Sequence, residues 1–542
     1  MLSSITGMYR PKYAQKVVLL LQQQKYQVWR YLSAYWQTQN FNNIAPGESP
    51  KSTRAKQLIR FVQLGLSLQV IVGIVLIVLG LTGNVVGGVA FGLAALVSYP
   101  VIWAHILALI ILFQQAAYYL SRPKELGREI VCRKLESQVR SLRKAHPFTL
   151  VAVAGSIGKT STKLAIADLL AQTKRVRYQV GNYNDRVTVP LVLFGQPEPN
   201  IINVFAWLRI FRANDKAIQA KFPHDVVVVE LGTDAPGQLE KFAYLAPDIS
   251  VVTAVAPEHM EYFKTLDAVA EEELTVFDFS KQVLVNADDI APEYLKDRTF
   301  RQYSLSRVGA DYYAKRTPKD LFGQHVDLTI GEKKIETDVQ YIGEQGAKFA
   351  LAAAAVANLL DVSNSDIAKG LGHLKHFAGR MQILDGIKNT TLIDDTYNAS
   401  PAAVIAALDV LYSSKTPQRI ALIGNMNELG EHSKLAHKEI GAYCDPKKLD
   451  LVVTLGTDAN KYTAPAAKRA GCTVKTCTSP HEAGEYIKEQ LREKATVLVK
   501  GSQNGVFAEE ALKPLLANEA DQTKLVRQSA YWLKMKQKQF SN

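Results

Sequence analysis

Residues 61–121 contain no Asp, Glu, Lys or Arg. An uncharged stretch of that length does not fit an ordinary core segment. About 20 apolar residues cross the ~30 Å hydrocarbon layer of a bilayer, at about 1.5 Å of helical rise each. Residues 61–81 suffice for one crossing, and Thr82-Gly83-Asn84 then reads as a turn. Residues 87–120 form a second apolar stretch, interrupted by Pro100. Proline removes a helical hydrogen bond, so this stretch is expected to be one long kinked helix.

The flanks orient the pair. Lys51, Arg54, Lys56 and Arg60 precede it, and Arg122, Lys124, Arg128, Arg133 and Lys134 follow. Positive charge marks the cytoplasmic side, so both ends are expected in the cytoplasm, which requires an even number of crossings, with two favoured. A cleaved signal peptide fits poorly, because the apolar stretch starts late and is too long. The competing reading is a hairpin buried in a soluble domain. Residues 12–36 add helical spacing, with Val17, Leu20, Leu21, Val28, Tyr31 and Leu32 roughly on one face. They predict an amphipathic helix lying on inner-leaflet lipids or packed against the soluble body. Residues 40–52 read as a linker.

Charge follows the same division. The net charge is +13, and residues 1–150 hold 17 Lys and Arg against 4 Asp and Glu, whereas the rest holds 47 of each. The basic region is therefore expected to face an anionic membrane and not nucleic acid. Four cysteines, Cys132, Cys444, Cys472 and Cys477, are too few for a disulfide scaffold and lack CxxC spacing. They fit a reducing compartment.

From residue 147 the pattern becomes α/β. Candidate strands are 149–154, 225–231, 249–254, 282–286, 419–423, 449–455 and 496–500, with helical stretches at 161–171, 347–360 and 401–411. Such alternation predicts parallel sheets with helices on both faces, and ligands at the carboxyl ends of strands. Residues 311–339 alternate polar and apolar and predict antiparallel strands.

A phosphate loop follows the first strand: Gly155-Ser156-Ile157-Gly158-Lys159-Thr160-Ser161. Its glycines free backbone N–H groups for phosphate oxygens, Lys159 adds a full charge, and the Thr160 hydroxyl suits Mg²⁺. Val153 stands where the strict Walker pattern has glycine. The next strand ends in Glu230, a hard oxygen donor for Mg²⁺ or a solvated acid. The one after it leads to Glu258-His259, a metal ligand or a hydrogen-bonded loop. Glu271-Glu272-Glu273 reads as a solvated helix face.

Eight ordered motifs then carry a resemblance: GSIGKTST (155–162), GNYNDRVTVP (181–190), VVELGTDAPGQL (228–239), APEHMEYFKTLDAVA (256–270), AGRMQIL (378–384), IDDTYNASP (393–401), LIGNMNELGEHSKLAH (422–437) and VLVKGS (497–502). Across residues 147–515 the chain resembles the Mur ligases, ATP-dependent amide-bond synthetases of peptidoglycan assembly. The last three motif groups point to the branch that adds D-alanyl-D-alanine.

The resemblance implies a central P-loop ATPase domain and a C-terminal Rossmann-like α/β domain, behind an α-helical membrane module. The expected divisions are an amphipathic helix and linker (1–54), a transmembrane module with a basic flank (55–145), the ATP-binding domain (146–377), the C-terminal domain (378–517) and a basic helical tail (518–542). It implies a bacterial enzyme that joins D-alanyl-D-alanine to a UDP-N-acetylmuramoyl-tripeptide through an acyl phosphate, using ATP and Mg²⁺. The ligase domains are expected in the cytoplasm, at the cytoplasmic membrane, in contact with inner-leaflet lipids and other wall-synthesis enzymes.

Residue by residue, the nucleotide falls to Gly155, Ser156, Gly158, Lys159, Thr160 and Ser161. Arg380 reaches the γ-phosphate, Asp394 and Asp395 precede the nucleotide-contacting segment, and Asn398 lies against the adenine. Thr160, Glu230 and His259 are implied metal ligands, and Asn182 and Asn184 lie near the acceptor. Lys159, Glu230, His259 and Arg380 make up the expected catalytic set.

Departures from the family pattern are informative. Glu273 falls where most members carbamylate a lysine, so it is expected to supply that negative oxygen permanently. Gln345 replaces a histidine, Gly346 and Phe349 replace asparagines, and Ser400 replaces another asparagine. The domain that binds the UDP-sugar end has no visible counterpart. That leaves two alternatives to the main expectation: a ligase for a different or lipid-linked acceptor, and a catalytically weakened membrane scaffold.

Overall fold

A computed structural model describes residues 13–24, 26–37, 53–83, 86–331, 333–503 and 505–540. The linker expected at 40–52 lies outside them. The chain divides into two bodies, residues 1–129 and 130–542.

The first body is helical: α1 (Tyr13–Gln23), α2 (Val28–Gln37), α3 (Thr53–Thr82), α4 (Val86–Ser121) and the start of α5 (Pro123–Ala145). Helices α3 and α4 run antiparallel on facing glycines. A Cβ on Gly88 would come within 2.9 Å of Gly80 Cα, and one on Gly92 within 2.5 Å of the Gly73 carbonyl. Small residues let two helix backbones approach this closely, as membrane helix pairs do without water to drive them together. A polar clasp closes the other end, where Trp103 Nε1 donates to Gln69 Oε1 at 2.8 Å and Gln69 Nε2 donates to the Ala95 carbonyl at 3.0 Å. The outer faces carry exposed Leu64, Leu68, Ile71, Leu79, Phe91 and Leu112. Residues Ala55–Thr82 are one helix long and apolar enough to cross a membrane, and α4 bends by 62° between Gly87–Ser98 and Pro100–Ala116.

The amphipathic helix expected over residues 12–36 is two helices broken near Tyr26, which has φ 58. Their apolar face is not free. Val17, Leu21, Val28 and Tyr31 pack with Leu58, Val62, Leu107 and Ile111 of α3 and α4. Tyr13 and Tyr31 donate their hydroxyls to the carbonyls of Pro100 and Ala104.

In the second body, strand β1 (Thr149–Ala154) leads through the phosphate loop into α6 (Lys159–Leu170). The remaining strands of its first sheet are β2 (Val176–Arg177), β3 (Val226–Glu230), β4 (Ile249–Val252), β5 (Gln282–Asn286), β6 (Arg301–Ser304), β7 (Tyr312–Pro318), β8 (Gln324–Ile330) and β9 (Lys333–Val339). Their order is β2-β3-β1-β4-β5-β6-β7-β8-β9, parallel as far as β7 and antiparallel from β7 to β9. The predicted antiparallel segment thus extends the parallel sheet. Both faces of β1 are buried, as a covered parallel sheet requires. Val151 and Val153 pack with Ile166 of α6 and Leu351 of the helix Gly343–Leu359 on one side. Leu150, Ala152 and Ala154 pack with Val189 and Leu193 of α7 (Thr188–Phe194) on the other.

The second sheet has the order β10-β11-β15-β12-β13-β14, with β10 (Gln382–Gly386) alone antiparallel. Its other members are β11 (Thr390–Asp395), β12 (Arg419–Gly424), β13 (Leu451–Leu455), β14 (Val474–Cys477) and β15 (Thr496–Lys500). The expected α/β class is therefore present twice. The tail expected to be basic and helical contains a helix, Ala530–Phe540, and is docked. Arg527 makes two 2.8 Å contacts to buried Glu509, and Lys536 contacts Glu509 and Glu510 at 2.9 and 2.6 Å.

Candidate active site

Strands β3, β1 and β4 are neighbours, so the chain segments leaving their carboxyl ends converge. The segment after β1 is the phosphate loop. Gly155 and Gly158 have φ of +119 and +85, and a Cβ at either would strike Thr253 or the Phe349 ring. The loop is pinned from β4: Thr253 Oγ1 donates to the Ile157 carbonyl at 2.6 Å, and Ser156 Oγ accepts from the Ala256 amide at 3.0 Å. Lys159, Thr160 and Ser161 open α6, where helix-dipole charge adds to the attraction for phosphate.

Glu230, at the end of β3, is buried and engaged by three side chains, two from α6 and one from the loop before α7. It accepts from Thr160 Oγ1 at 3.1 Å and Asn184 Nδ2 at 3.4 Å, and its Oε2 lies 3.1 Å from Lys163 Nζ. Burial alone would raise its pKa, but Lys163, Lys159 and Arg380 outweigh burial and hold it below the ordinary range. Lys163 was not read from the sequence. It lies one helical turn past Lys159, and nothing in its local context distinguishes it from a solvated lysine. Asn182, two residues from Asn184, is exposed.

Lys159 Nζ sits between Glu258 at 3.3 Å and Glu273 at 3.9 Å. Burial works against its charge, but Glu258, Glu273 and Glu230 more than offset burial, and the pKa lies above the ordinary lysine value. The acidic run at 271–273 is not the solvated face expected of it. Glu271 is exposed, but Glu272 and Glu273 are buried. Glu272 accepts from the backbone amides of Gly237, Gln238 and Leu239 and from Thr233 Oγ1, so it holds the loop after β3. Glu273 accepts from the Gly155 amide at 2.7 Å, directly beneath the phosphate loop. Burial, with Glu258 and Glu272 adding to it, pushes the Glu273 carboxyl up to about 7 against the pull of Lys159.

His259 stands further out, in the left-handed backbone region with φ 47. Its Nε2 is 3.2 Å from Glu258 and 3.5 Å from Asp234, and its Nδ1 is 3.4 Å from Glu428 of the C-terminal domain. Burial lowers its pKa, and Glu258, Glu428 and Asp234 raise it to a net position above the ordinary imidazole value. The expected ligands Glu230, His259 and Glu273 are not gathered about one point. Among the described residues, the His, Cys, Asp or Glu donors that all lie within 4.8 Å of one another belong to His325, Asp327 and Glu336 on β8 and β9. Thr160 and Glu230 present adjacent hard oxygens, with Thr160 Oγ1 3.1 Å from Glu230 Oε1 and Oε2 held by the ion pair with Lys163. That donor pair fits Mg²⁺, which takes one or two protein oxygens and fills its remaining positions with phosphate and water.

The C-terminal domain supplies the opposing side. Arg380 lies with its guanidinium carbon 4.1 Å from the centroid of the Tyr397 ring. Gly379, at φ +66, has no room for a Cβ against Tyr397 and Val526. At the end of β11, Asp395 pairs with buried Lys500 at 2.5 Å, and Lys500 also donates to the Asn398 carbonyl at 3.0 Å. Ser502 Oγ donates to Asn398 Oδ1 at 2.8 Å. Asp394 is fully buried and accepts from Thr396 Oγ1 at 2.6 Å. Burial pushes its carboxyl up to about 6 against those Thr396 bonds. Lys500 and Ser502 belong to the VLVKGS motif at a strand end, the signal from which their role was readable. Arg527, missed in the sequence, donates to the carbonyls of Thr396 and Tyr397 at 2.6 and 3.2 Å.

Two family models match the chain: the Mur ligase middle domain over residues 211–357, and the Mur ligase glutamate ligase domain over residues 379–503. A UDP-N-acetylmuramoyl-tripeptide–D-alanyl-D-alanine ligase from Haemophilus influenzae is 29% identical over 417 residues, 73% of this chain and 83% of the relative. The enzyme of that name from Bacillus subtilis is 27% identical over 376 residues, 68% of this chain and 76% of the relative. Among solved structures, MurF from Acinetobacter baumannii aligns with a TM-score of 0.58 at 22% identity, covering 70% of this chain and 79% of that one. MurF ligase from Thermotoga maritima in complex with ADP gives 0.58 at 22%, covering 71% and 83%.

Proposed function

We propose, from the premise that this chain belongs to the Mur ligase family, that it joins D-alanyl-D-alanine to a UDP-N-acetylmuramoyl-tripeptide at the expense of ATP. The curated relatives carry that activity in their names, and the chain spans most of their length. The observation that carries the reading is electrostatic. Lys159, Thr160 and Glu230 meet under one phosphate loop, and Arg380 of the other domain lowers the pKa of that same Glu230.

In the first half-reaction the acceptor's terminal carboxylate attacks the γ-phosphorus and ADP leaves. In the second, the dipeptide amine attacks the acyl carbon, phosphate leaves and the amine loses a proton. Phosphoryl transfer asks the protein for alignment and charge neutralisation more than for covalent help. Gly155 and Gly158 leave backbone room for the phosphates, Lys159 carries a secured positive charge, and Arg380 brings a second from across the cleft. Thr160 and Glu230 would hold Mg²⁺, which neutralises phosphate charge when bound. Closure brings Arg380 toward the loop and excludes water from the acyl phosphate.

The site of action in this reading is the inner face of the cytoplasmic membrane, with the ligase domains in the cytoplasm. An exposed apolar helix pair between basic flanks supports that location. A second reading, a lipid-linked acceptor, is favoured by the helices that occupy residues 53–145 ahead of the ATPase domain.

The deciding experiment is mass spectrometry of products formed by the full chain with ATP, D-alanyl-D-alanine and UDP-linked or lipid-linked muramoyl tripeptides. A product heavier by the dipeptide less water, with matching ADP release, is expected. ADP release that ignores both acceptor and dipeptide would overturn the assignment.

A further inference from the structure

Helix α8 (Val204–Gln219) has two unlike sides. Ala206, Trp207 and Ile210 are buried, the latter two against Val131, Cys132 and Leu135 of α5. At the same end, Ile202, Val204, Phe205 and Leu208 are 63%, 62%, 86% and 44% exposed. Single exposed apolar side chains are ordinary, but four within seven residues make a patch that marks an interaction site. Phe205, Leu208, Arg209 and Arg212 follow the spacing that shares one helix face. Both arginines are exposed, and residues 199–214 contain no Asp or Glu. The surface is therefore an apolar tip with a cationic border, the composition of segments that lie in a bilayer interface.

Chain connectivity limits what can meet it. The α5 residues beneath Trp207 and Ile210 lie ten to fourteen positions past Ser121, where the uncharged helix ends. At about 1.5 Å per residue, that is within about 20 Å of helix. Helix α5 itself carries seven Lys and Arg against three Glu. A partner that is apolar within, anionic at its surface and tethered this close describes a lipid leaflet better than a protein.

We infer that the tip at Ile202–Leu208, bordered by Arg209 and Arg212, is a second membrane contact, which inserts Phe205 among the headgroups of an anionic leaflet and seats the ligase body on the bilayer. The inference rests on the membrane location proposed above.

The test uses the full chain reconstituted into phosphatidylcholine vesicles with and without phosphatidylglycerol. All four native cysteines are buried, so a nitrobenzoxadiazole dye can be placed selectively on Phe205→Cys, or on Leu68→Cys in α3 as a reporter of the anchor. With spin-labelled lipid present, the dye at position 205 is expected to lose most of its emission in anionic vesicles. Arg209→Glu with Arg212→Glu, or omission of phosphatidylglycerol, is expected to restore it. A dye unquenched at 205 but quenched at 68 overturns this inference, leaves the anchor standing and assigns the patch to a protein partner. A dye unquenched at both positions removes the anchor and the inference together.

Discussion

The backbone amide of Gly155 donates to the carboxylate of Glu273 at 2.7 Å, and the same carboxylate lies 3.9 Å from Lys159 Nζ. We propose that this carboxyl, which burial pushes up to about 7, serves in its ionised form where the family resemblance implies a carbamylated lysine. Two expectations follow for turnover. Depleting bicarbonate leaves the rate unchanged, because no carbamate has to form. Glu273→Gln keeps an acceptor for Gly155 but removes the charge, and kcat should fall on the order of 10²-fold, the scale of losing one positioned electrostatic group. A bicarbonate-dependent wild type, or a fully active glutamine variant, would refute this role.

Arg380 is planar and stacked on Tyr397. Lysine replaces its charge but neither its stacking nor its fork of donors. Arg380→Ala is expected to lower kcat by about 10³-fold, the lower range for an arginine that meets a transferring phosphoryl group. Arg380→Lys should recover little of that, with the KM for ATP moving far less than kcat. Steady-state kinetics of both variants decide it.

Glu272 is expected to contribute stability and not chemistry. Its four hydrogen bonds hold residues 233–239. Glu272→Ala leaves buried amide donors without partners and should cost about 3 kcal/mol. Glu272→Gln retains the oxygen that accepts most of those bonds and should cost well under half as much. Thermal unfolding of the two variants measures the difference, and equal losses would mean that the charge matters and not the acceptor.

Asp394 makes stability depend on pH in a defined direction. Burial raises its carboxyl to about 6 from an ordinary 3.8. The folded chain therefore binds a proton more tightly than the unfolded chain between those values, and its stability falls as pH rises through that window. Above about pH 6 the penalty is constant, with an upper bound of about 3 kcal/mol. Asp394→Asn should be more stable than the parent at pH 7.5, and that advantage should vanish by about pH 4. An advantage that is flat across pH would rule out ionisation as its source.

The parts of this molecule written locally were legible in the sequence. Strands β1, β5 and β15 begin and end at the predicted residues, because their apolar runs are bounded by turn or charged residues within the same few positions. The phosphate loop was readable for the same reason. What was not legible depends on residues far away in the chain. Three consecutive glutamates look alike until donors from residues 155 and 237–239 select two of them. Helix periodicity ran through residues 24–27 because it does not register the positive φ of Tyr26. The glycine seam between α3 and α4 was within reach, since Gly73 and Gly80 are seven residues apart, the repeat of a packed helix face.

The docked tail changes what the C-terminal domain is. Arg527 holds the carbonyls of Thr396 and Tyr397, and Tyr397 carries Arg380 on its ring. A rearrangement of residues 530–540 would reach, through two hydrogen bonds and one stacked pair, the guanidinium to which the proposed reaction assigns the γ-phosphate. In the proposed reaction the segment would be a handle on catalysis. Whatever grips or frees it would then set the aim of an arginine some 150 positions earlier in the chain.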